Sequence, residues 1–330
     1  MNMIGKQSKE IILHVQDLRT YFYLRTGILK AVDGVTIDVH QREAVGLVGE
    51  SGCGKSVTAF SVMRLIQTPG KIVEGKILFK DKSLLGLTAR SMTQVRGQDI
   101  SMVFQDPMTY LNPVFTVGNQ IMETIQIHRH TEKKEAKEKT IELLGSTGLP
   151  DPEKVFNYFP HQLSGGMRQR ILIAMALSCN PSLLIADEPT TALDVTVQAQ
   201  ILQLIKETIQ QLGTSLLLIT HDLGIVADTC DTVYVMYAGK IVERGTVWQI
   251  FKHPLHPYTS GLLECVLSID EFKKEIKTIE GNVPYLINPP SGCRYRTRCP
   301  FAMEKCGTEE PPLIEIEDGH AVACYLHEAD

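Results

Sequence analysis

The sequence predicts an α/β fold with a mixed core β-sheet, an antiparallel β lobe and a helical subdomain. Short apolar runs that begin at Glu43, Leu183, Leu216 and Val233 have the composition of buried strands. Residues 195–212 carry a helical pattern between the second and the third of these runs. Strands that alternate with helices in this way are typical of a sheet with helical cover.

The elements divide the chain into a main domain and an extension. Residues up to about Lys80 are mainly β, with predicted strands at 11–15 and 31–39 and a helix at 57–65. The pattern is helical from about residue 106 to 180, and residues 239–245 predict a hairpin that closes the core. The composition then changes near residues 253–260. We therefore place the main domain at 1–257 and a small cysteine-containing extension at 258–330.

A glycine-rich loop lies between the strand at 43–48 and the helix that follows it. Residues 49–56 match the phosphate-loop pattern G-x-x-x-x-G-K-S, in the strand–helix context that this pattern requires. Its backbone N–H groups form a nest for an anion. Lys55 is expected to reach the β- and γ-phosphates of a nucleotide, and Ser56 to ligate Mg²⁺. The residues expected to surround the phosphates are Gly49, Ser51, Gly52, Cys53, Gly54, Lys55, Ser56 and Val57.

Two carboxylates end the second apolar run. Asp187 and Glu188 directly follow residues 183–186, at the carboxyl end of a predicted parallel strand. Open α/β sheets bind their ligands at this end of the strands. Asp187 suits the Mg²⁺ shell, and Glu188 suits a general base that polarises an attacking water.

A Ser-Gly-Gly turn precedes another predicted helix. Ser164 offers a hydroxyl, and Gly165 and Gly166 let backbone amides approach a phosphate closely. The helix that follows directs the positive end of its dipole at the same place. Because the phosphate loop already accounts for one side of a nucleotide, this turn is expected to face a nucleotide held by a second chain.

Together these motifs resemble the ATP-binding cassette family, a group of ATPases built on the phosphate-loop fold. The resemblance implies that Gln105 belongs to the glutamine loop, which contacts Mg²⁺ or water and senses the membrane partner. It implies that His221 is the switch histidine at the γ-phosphate. One N-terminal aromatic residue stacks on adenine in this family, and Phe22 aligns better than Tyr21 or Tyr23.

The resemblance also assigns two segments to the seam of a cassette dimer. One is the loop that passes beside the opposite ATP, and the other is the signature that faces the ATP of the partner. The loop corresponds to Ala192, Leu193 and Asp194, and the signature to Leu163, Ser164, Gly165, Gly166, Met167, Arg168 and Gln169.

Composition argues against several other classes. A net charge of −5 over 330 residues gives no basic footprint for nucleic acid. No run approaches the roughly 18 apolar residues that span a bilayer, and residues 1–10 lack the apolar core of a secretory signal. We expect a protein at the cytoplasmic face of the membrane that associates through partners.

Segments outside these motifs narrow the resemblance. Residues 104–113, 159–163, 256–259 and 288–324 resemble the ATPase subunit of an oligopeptide, dipeptide or nickel importer. This implies a motor that uses ATP and Mg²⁺ and pairs with a second, related cassette. It also implies two membrane permease subunits and an external solute-binding protein. The alternative from a different class is a soluble cassette of iron–sulfur assembly, which usually lacks so long a cysteine-bearing tail.

Four cysteines in the extension are candidate metal ligands: Cys293, Cys299, Cys306 and Cys324. A cytosolic setting disfavours disulfides, and zinc sites usually show short C-x₂₋₄-C pairs that this tail lacks. Four thiolates at longer spacing suit a 4Fe–4S cluster, and the resemblance to importer ATPases favours it too. Zinc and reduced structural thiols remain alternatives. Arg294, Arg296 and Arg298 are expected to offset the charge of the thiolates.

Overall fold

The computed structural model describes residues 10–191, 193–270 and 279–328. Its strands form a smaller and a larger β-sheet. In chain order the strands are β1 (Ile11–Leu24), β2 (Gly27–His40), β3 (Ala44–Val48), β4 (Gly70–Phe79), β5 (Lys82–Ser83), β6 (Ile100–Val103), β7 (Leu183–Asp187), β8 (Ser215–Thr220), β9 (Thr232–Tyr237), β10 (Lys240–Thr246), β11 (Ile314–Glu317) and β12 (His320–Val322).

The smaller sheet is the antiparallel β lobe. Its strand order is β2-β1-β4-β5, and each neighbouring pair is antiparallel. Val35, Ile37 and Val39 of β2 are buried, while the residues between them are half-buried. This alternation is expected of a sheet that rests one face on the core. The lobe packs against the larger sheet through a shared apolar cluster.

The larger sheet is mixed and holds the core of the chain. Among the described residues it contains eight strands in the order β11-β12-β10-β9-β3-β8-β7-β6. The strands from β9 to β6 in this order are parallel, whereas β10, β11 and β12 pair antiparallel. Strands β3, β7 and β8 are buried along their whole length, as expected where both faces of a parallel sheet are covered.

Helices cover this sheet and form a separate subdomain. In chain order they are α1 (Lys55–Val62), α2 (Ala89–Gln98), α3 (Pro107–Tyr110), α4 (Val117–Arg129), α5 (Lys133–Ser146), α6 (Pro152–Val155), α7 (Gly165–Leu177), α8 (Val195–Leu212), α9 (Leu223–Thr229), α10 (Val247–Lys252), α11 (Pro257–Asp270) and α12 (Lys305–Thr308). Short 3₁₀ turns lie at Pro160–Gln162 and Tyr325–His327. Of the helices described, none combines the length and apolar character needed to cross a bilayer.

The helical subdomain has a core of its own. Ile121 and Ile125 of α4, Leu144 of α5 and Ile171 and Leu172 of α7 pack in one buried cluster. These helices fall inside the range predicted to be helical. Helix α7 also reaches the main sheet, because Ile173 and Leu177 pack on the cluster beneath β7 and β8. It therefore links the Ser-Gly-Gly turn to the core.

The predicted fold class is confirmed, with one correction to its local detail. Residues 240–246 are a single strand rather than a hairpin, and β10 pairs with β9 around Ala238 and Gly239. The extension adds strands to the main sheet, since β12 pairs with β10 at Glu243 and Val322. The end of the chain is thereby brought close to the edge of the core.

Candidate nucleotide site

The phosphate loop joins β3 to α1, and two of its glycines are required by their surroundings. Gly49 and Gly54 have φ of 154° and 111°. A Cβ at these positions would lie 2.1 Å from the Met236 carbonyl oxygen and 2.2 Å from that of Ala31. Gly52 also has a positive φ, 79°, but a Cβ there would meet nothing within 4 Å. The loop is therefore fixed against the core at both ends and open between them.

A buried cation and a buried carboxylate meet beside this loop. Lys55 is 5% exposed, and its Nζ donates to the carbonyl oxygens of Gly49 at 2.7 Å and Glu50 at 3.1 Å. Ser56 Oγ donates to Asp187 Oδ1 at 3.0 Å, which joins the first turn of α1 to the end of β7. Burial raises the pKa of Asp187 to about 6. This corner offers an ammonium group for phosphate and hard oxygen ligands for a divalent ion.

Glu188 is held by three side chains from different parts of the chain. Its Oε2 accepts hydrogen bonds from Gln105 Nε2 at 2.8 Å and Thr191 Oγ1 at 3.0 Å. Its Oε1 lies 3.1 Å from His221 Nδ1, which donates if the carboxylate is ionised. The Glu188 backbone has φ 45°, and its N–H donates to the Ile219 carbonyl oxygen on β8. Both the backbone and the carboxylate are thus fixed at the strand ends.

A pocket of about 700 Å³ opens above the loop and contains these groups. Its polar end includes Lys55, Ser56, Gln105 and Glu188. Of the three aromatic candidates for the adenine, only Phe22 is among the described residues that line it. The Tyr21 hydroxyl instead donates to Asp33 Oδ1 at 2.5 Å, and Lys71 lies over the ring of Tyr23. Among these three residues, Phe22 is therefore the candidate for stacking on the base.

The signature segment lies outside this pocket. Ser164 is exposed and caps α7, because its Oγ accepts the Met167 N–H at 3.3 Å. A Cβ on Gly166 would lie 2.8 Å from Val197 Cγ1, so this glycine also permits close packing of α7 against α8. None of the described residues that line the pocket belongs to this segment. The chain therefore does not bring its own signature to its own phosphate loop.

Most of the other residues predicted for the signature, for the loop at 192–194 and for the phosphate loop are buried or bonded within the fold. Leu163 and Gln169 are buried, Met167 is partly buried in the helical core, and Arg168 Nε donates to the Pro160 carbonyl oxygen. Asp194 caps α8 by accepting the Val197 N–H at 2.9 Å, and Leu193 packs on the core. Ala192 lies outside the described residues. In the phosphate loop, Cys53 is fully buried.

The extension makes contacts with the phosphate loop that the sequence did not suggest. Arg298 forms a bidentate ion pair with Glu50, with N–O distances of 2.6 and 3.0 Å. The Glu50 N–H donates to the Tyr258 hydroxyl at 2.9 Å. Arg294 pairs with Asp33 at the neighbouring edge of β2. Arg294 and Arg298, expected to offset the charge of the thiolates, are therefore engaged elsewhere. No local pattern could have paired residues so distant in the chain.

Two of the four tail cysteines are joined by a backbone hydrogen bond. The Cys293 N–H donates to the Cys306 carbonyl oxygen at 2.9 Å. Burial raises the pKa of the Cys293 thiol to about 11, and the charges of Cys306, Cys324 and Cys299 add to this shift. All four are free thiols. Within the described ranges, no group of three or more Cys, His, Asp or Glu side chains is arranged to hold a metal ion.

The fold and this site define a class. A phosphate loop, an acidic strand end and a helical subdomain that carries a separate Ser-Gly-Gly helix are the parts of an ATP-binding cassette ATPase. A family model described as ABC transporter matches residues 32–191. A second model, described as oligopeptide/dipeptide transporter, C-terminal region, matches residues 242–306.

Relatives of known name cover nearly the whole chain. The oligopeptide transport ATP-binding protein AppD of Bacillus subtilis is 50% identical over 97% of this chain and 98% of its own length. The dipeptide transport ATP-binding protein DppD of the same organism is 49% identical over 97% of this chain and 96% of its own length. The chain belongs to this family of peptide-transport ATP-binding proteins. These relatives support transport rather than iron–sulfur assembly.

Solved cassette structures share the fold. A dimeric post-hydrolysis state of the ATP-binding cassette MJ0796, bound to ADP and Pi, matches with a TM-score of 0.65 and 25% identity. The match covers 71% of this chain and 98% of that one. CbiO1 from Clostridium perfringens matches with a TM-score of 0.63 and 27% identity, over 74% of this chain and 92% of that one.

Proposed function

We propose that this chain is the ATP-hydrolysing motor subunit of a membrane importer for peptides or a related small solute such as nickel. The observation that carries the proposal is the position of Glu188, held by Gln105, Thr191 and His221 directly after Asp187. The names of the relatives support peptide transport, and a Brucella ovis relative, 49% identical over 96% of this chain, is named for peptide import.

In this proposal the polar end of the pocket binds the triphosphate. Lys55 and the loop amides contact the phosphates, replacing the carbonyl contacts that Lys55 makes here. Ser56, Asp187 and the side-chain oxygen of Gln105 would hold Mg²⁺, whose preference for oxygen donors they fit. When bound, Mg²⁺ neutralises charge on the β- and γ-phosphates.

Glu188 then acts on the attacking water. Its carboxylate accepts a proton from the water as the water oxygen bonds to the γ-phosphorus. The bond from the γ-phosphorus to the bridging oxygen breaks, and ADP leaves. Gln105 and Thr191 keep the carboxylate in place through Oε2, while His221 reaches Oε1 from β8 and contacts the γ-phosphate. Because the three partners come from separate loops, closure of the site on ATP positions the base and the phosphate together.

A second cassette completes the site. The exposed Ser164 at the start of α7 lies away from the pocket, which supports its use on the ATP of a partner. Gly165 and Leu193 would face the same seam. Two ATP molecules are then sandwiched between two chains, each contacting the phosphate loop of one and the signature of the other. ATP binding closes the pair and hydrolysis reopens it.

The partners follow from the same proposal. A second and related cassette subunit, two membrane permeases and an external solute-binding protein make up the importer. The chain sits at the cytoplasmic face of the membrane and is held there by the permeases. Closing and reopening of the cassettes then switches the permeases between their two orientations.

The test is the ATPase rate of the assembled transporter. Glu188→Gln should bind ATP and reduce turnover by a factor on the order of 10²–10⁴, the usual contribution of a positioned base. Lys55→Ala, as the contrasting variant, should weaken nucleotide binding itself. Equal turnover by Glu188→Gln and the unaltered protein would remove Glu188 from this role.

The sandwich has its own test. The isolated chain should hydrolyse ATP slowly, with a specific rate that rises with protein concentration. Ser164→Arg should impair the ATP site of the partner while this chain still binds nucleotide. A rate that is high and independent of concentration would contradict the shared site.

We also propose that the four tail cysteines hold a 4Fe–4S cluster. The support is that all four are free thiols at a spacing longer than that of zinc sites, and a cubane spreads its ligands more widely than a single ion does. Its role is structural, since ATP-driven import needs no redox step. Protein purified without oxygen should be brown and contain about four irons per chain. One zinc per chain in colourless protein would favour zinc instead.

A further inference from the structure

The nucleotide pocket has a second wall that comes from the extension. Besides the phosphate loop and the β lobe, the pocket is lined by residues 283–286, Val-Pro-Tyr-Leu. These residues belong to the described segment that begins at 279, far along the chain from the phosphate loop. The pocket is therefore formed jointly by the two parts of the chain.

This second wall is attached to the β lobe. The Lys30 N–H of β2 donates to the Leu286 carbonyl oxygen at 3.0 Å. Leu29 and Val283 pack on the buried cluster that contains Leu286. A Cβ on Gly27, which has φ 136°, would lie 2.7 Å from Ile287 Cγ2, so the absence of a side chain at Gly27 permits the close approach. A backbone hydrogen bond and apolar packing thus fix the segment.

Within this wall, Tyr285 has an aromatic ring that is not buried in the fold. Its side chain is 81% exposed, although its neighbour Leu286 is 6% exposed. An aromatic ring left in water contributes little to folding, since its stabilising effect depends on the apolar area removed from solvent. Tyr285 nevertheless lines the pocket that holds Phe22. The pocket is where a ligand could cover this ring.

We propose that residues 283–286 form part of the base-binding end of the nucleotide site and that the Tyr285 ring stacks on the adenine. The inference rests on the proposed function, because it assumes that the pocket binds ATP. The chemistry of the lining supports it. Lys55 and Ser56 supply polar groups for the phosphates. Leu24 and Leu29, beside Phe22 in the β1–β2 pair, supply apolar surface together with Leu286 of the extension. A purine ring is the part of ATP that suits such surface.

The extension as a whole then contributes to the nucleotide site in two ways. It contacts the base of the nucleotide, and it holds the phosphate loop in place through Arg298. A change in the position of the extension would alter ATP affinity without any change in the phosphate loop itself.

The experiment compares ligands with and without the base. Binding of ADP and of inorganic tripolyphosphate, each with Mg²⁺, is measured by titration calorimetry on the full chain. ADP is used because it lacks the γ-phosphate that closes the dimer. Tyr285→Ala should weaken ADP binding about fivefold to tenfold, the lower part of the range for loss of one base–aromatic stack. Tripolyphosphate affinity should stay the same, and Tyr285→Phe should keep ADP affinity.

A matched control separates stacking from general effects of removing an exposed ring. Trp248 on α10 is 60% exposed and does not line the pocket. Trp248→Ala should therefore bind ADP as the unaltered chain does. Unchanged ADP affinity in Tyr285→Ala overturns the inference, as does an equal loss for ADP and tripolyphosphate. If the unaltered chain binds neither ligand, the proposed function fails as well, so the two failures are distinguishable.

Discussion

Removal of the Arg298 side chain should destabilise the chain and loosen the phosphate loop. The Arg298 side chain is 3% exposed and forms a bidentate pair with Glu50, whose side chain is 31% exposed. The same group donates to the carbonyl oxygens of Glu280 at 2.9 Å and Ile279 at 3.2 Å. The hydrogen bond to Glu50 raises the pKa of Arg298, as expected of a strong charged pair.

The size of the effect follows from this burial. Breaking a fully buried pair costs about 3–5 kcal/mol, while a fully exposed pair contributes at most about 1 kcal/mol. Arg298 is buried, but the carboxylate of Glu50 is partly hydrated and can recover water when its partner is removed. We therefore expect Arg298→Met to lower the free energy of unfolding by about 3 kcal/mol. With an unfolding entropy of about 2.1 cal/mol/K per residue, this corresponds to a fall in Tm of about 4 °C.

The assay is calorimetric unfolding of four proteins: the unaltered chain, Arg298→Met, Glu50→Ala and the double variant. The two single changes should be non-additive by about 2 kcal/mol, because each removes the same pair. Lys139→Met is the control, since Lys139 and Glu142 form an exposed pair at 3.0 Å on α5 and should shift Tm by about 1 °C or less. Additive effects of the two changes would refute the reasoning.

Two further predictions concern single positions. Gly54→Ala should lower the free energy of unfolding by more than about 2 kcal/mol and abolish nucleotide binding. The reason is that φ at Gly54 is 111° and the added Cβ would meet the Ala31 carbonyl oxygen. Gly307→Ala is the control, because a Cβ there meets nothing within 4 Å and should have little effect. Burial, with His327 adding to it, lowers the pKa of His256 to about 3, so the unfolded chain binds a proton near pH 6.5 and the folded chain does not. The free energy of unfolding should therefore fall as pH drops below 6.5, by about 2 kcal/mol at pH 5 from this group. In His256→Asn the side-chain oxygen can still accept the Tyr258 N–H, and Tm should depend less steeply on pH. An equally steep dependence would contradict this assignment.

Local sequence predicted the parts of the fold whose geometry is local. The helix expected at 195–212 is present with those bounds, since it carries an apolar stripe and the capping residue Asp194 directly precedes it. The phosphate loop could likewise be read from its glycines, because their positive φ angles are a property of the loop. The position of Glu188 at the edge of the sheet could also be predicted, because it directly follows a buried strand.

Contacts between distant segments could not be predicted in this way. The choice among Tyr21, Phe22 and Tyr23 depends on which face of β1 meets the pocket, and register shifts between β1 and β2 alter that face. The pairing of Glu50 with Arg298 joins residues that are far apart in the chain. Neither charge belongs to a repeating pattern, so only the folded arrangement identifies them as partners.

Through these long-range contacts the extension supports the phosphate loop. Glu50 in the phosphate loop is held by two residues of the extension. The Tyr258 hydroxyl accepts the Glu50 N–H, and Arg298 binds the Glu50 carboxylate. Tyr237 at the end of β9 is fully buried, and its ring contacts those of Tyr258 and Tyr295. The phosphate loop is therefore supported by the extension, and a cassette that ended before it would lose part of the structure that holds this loop.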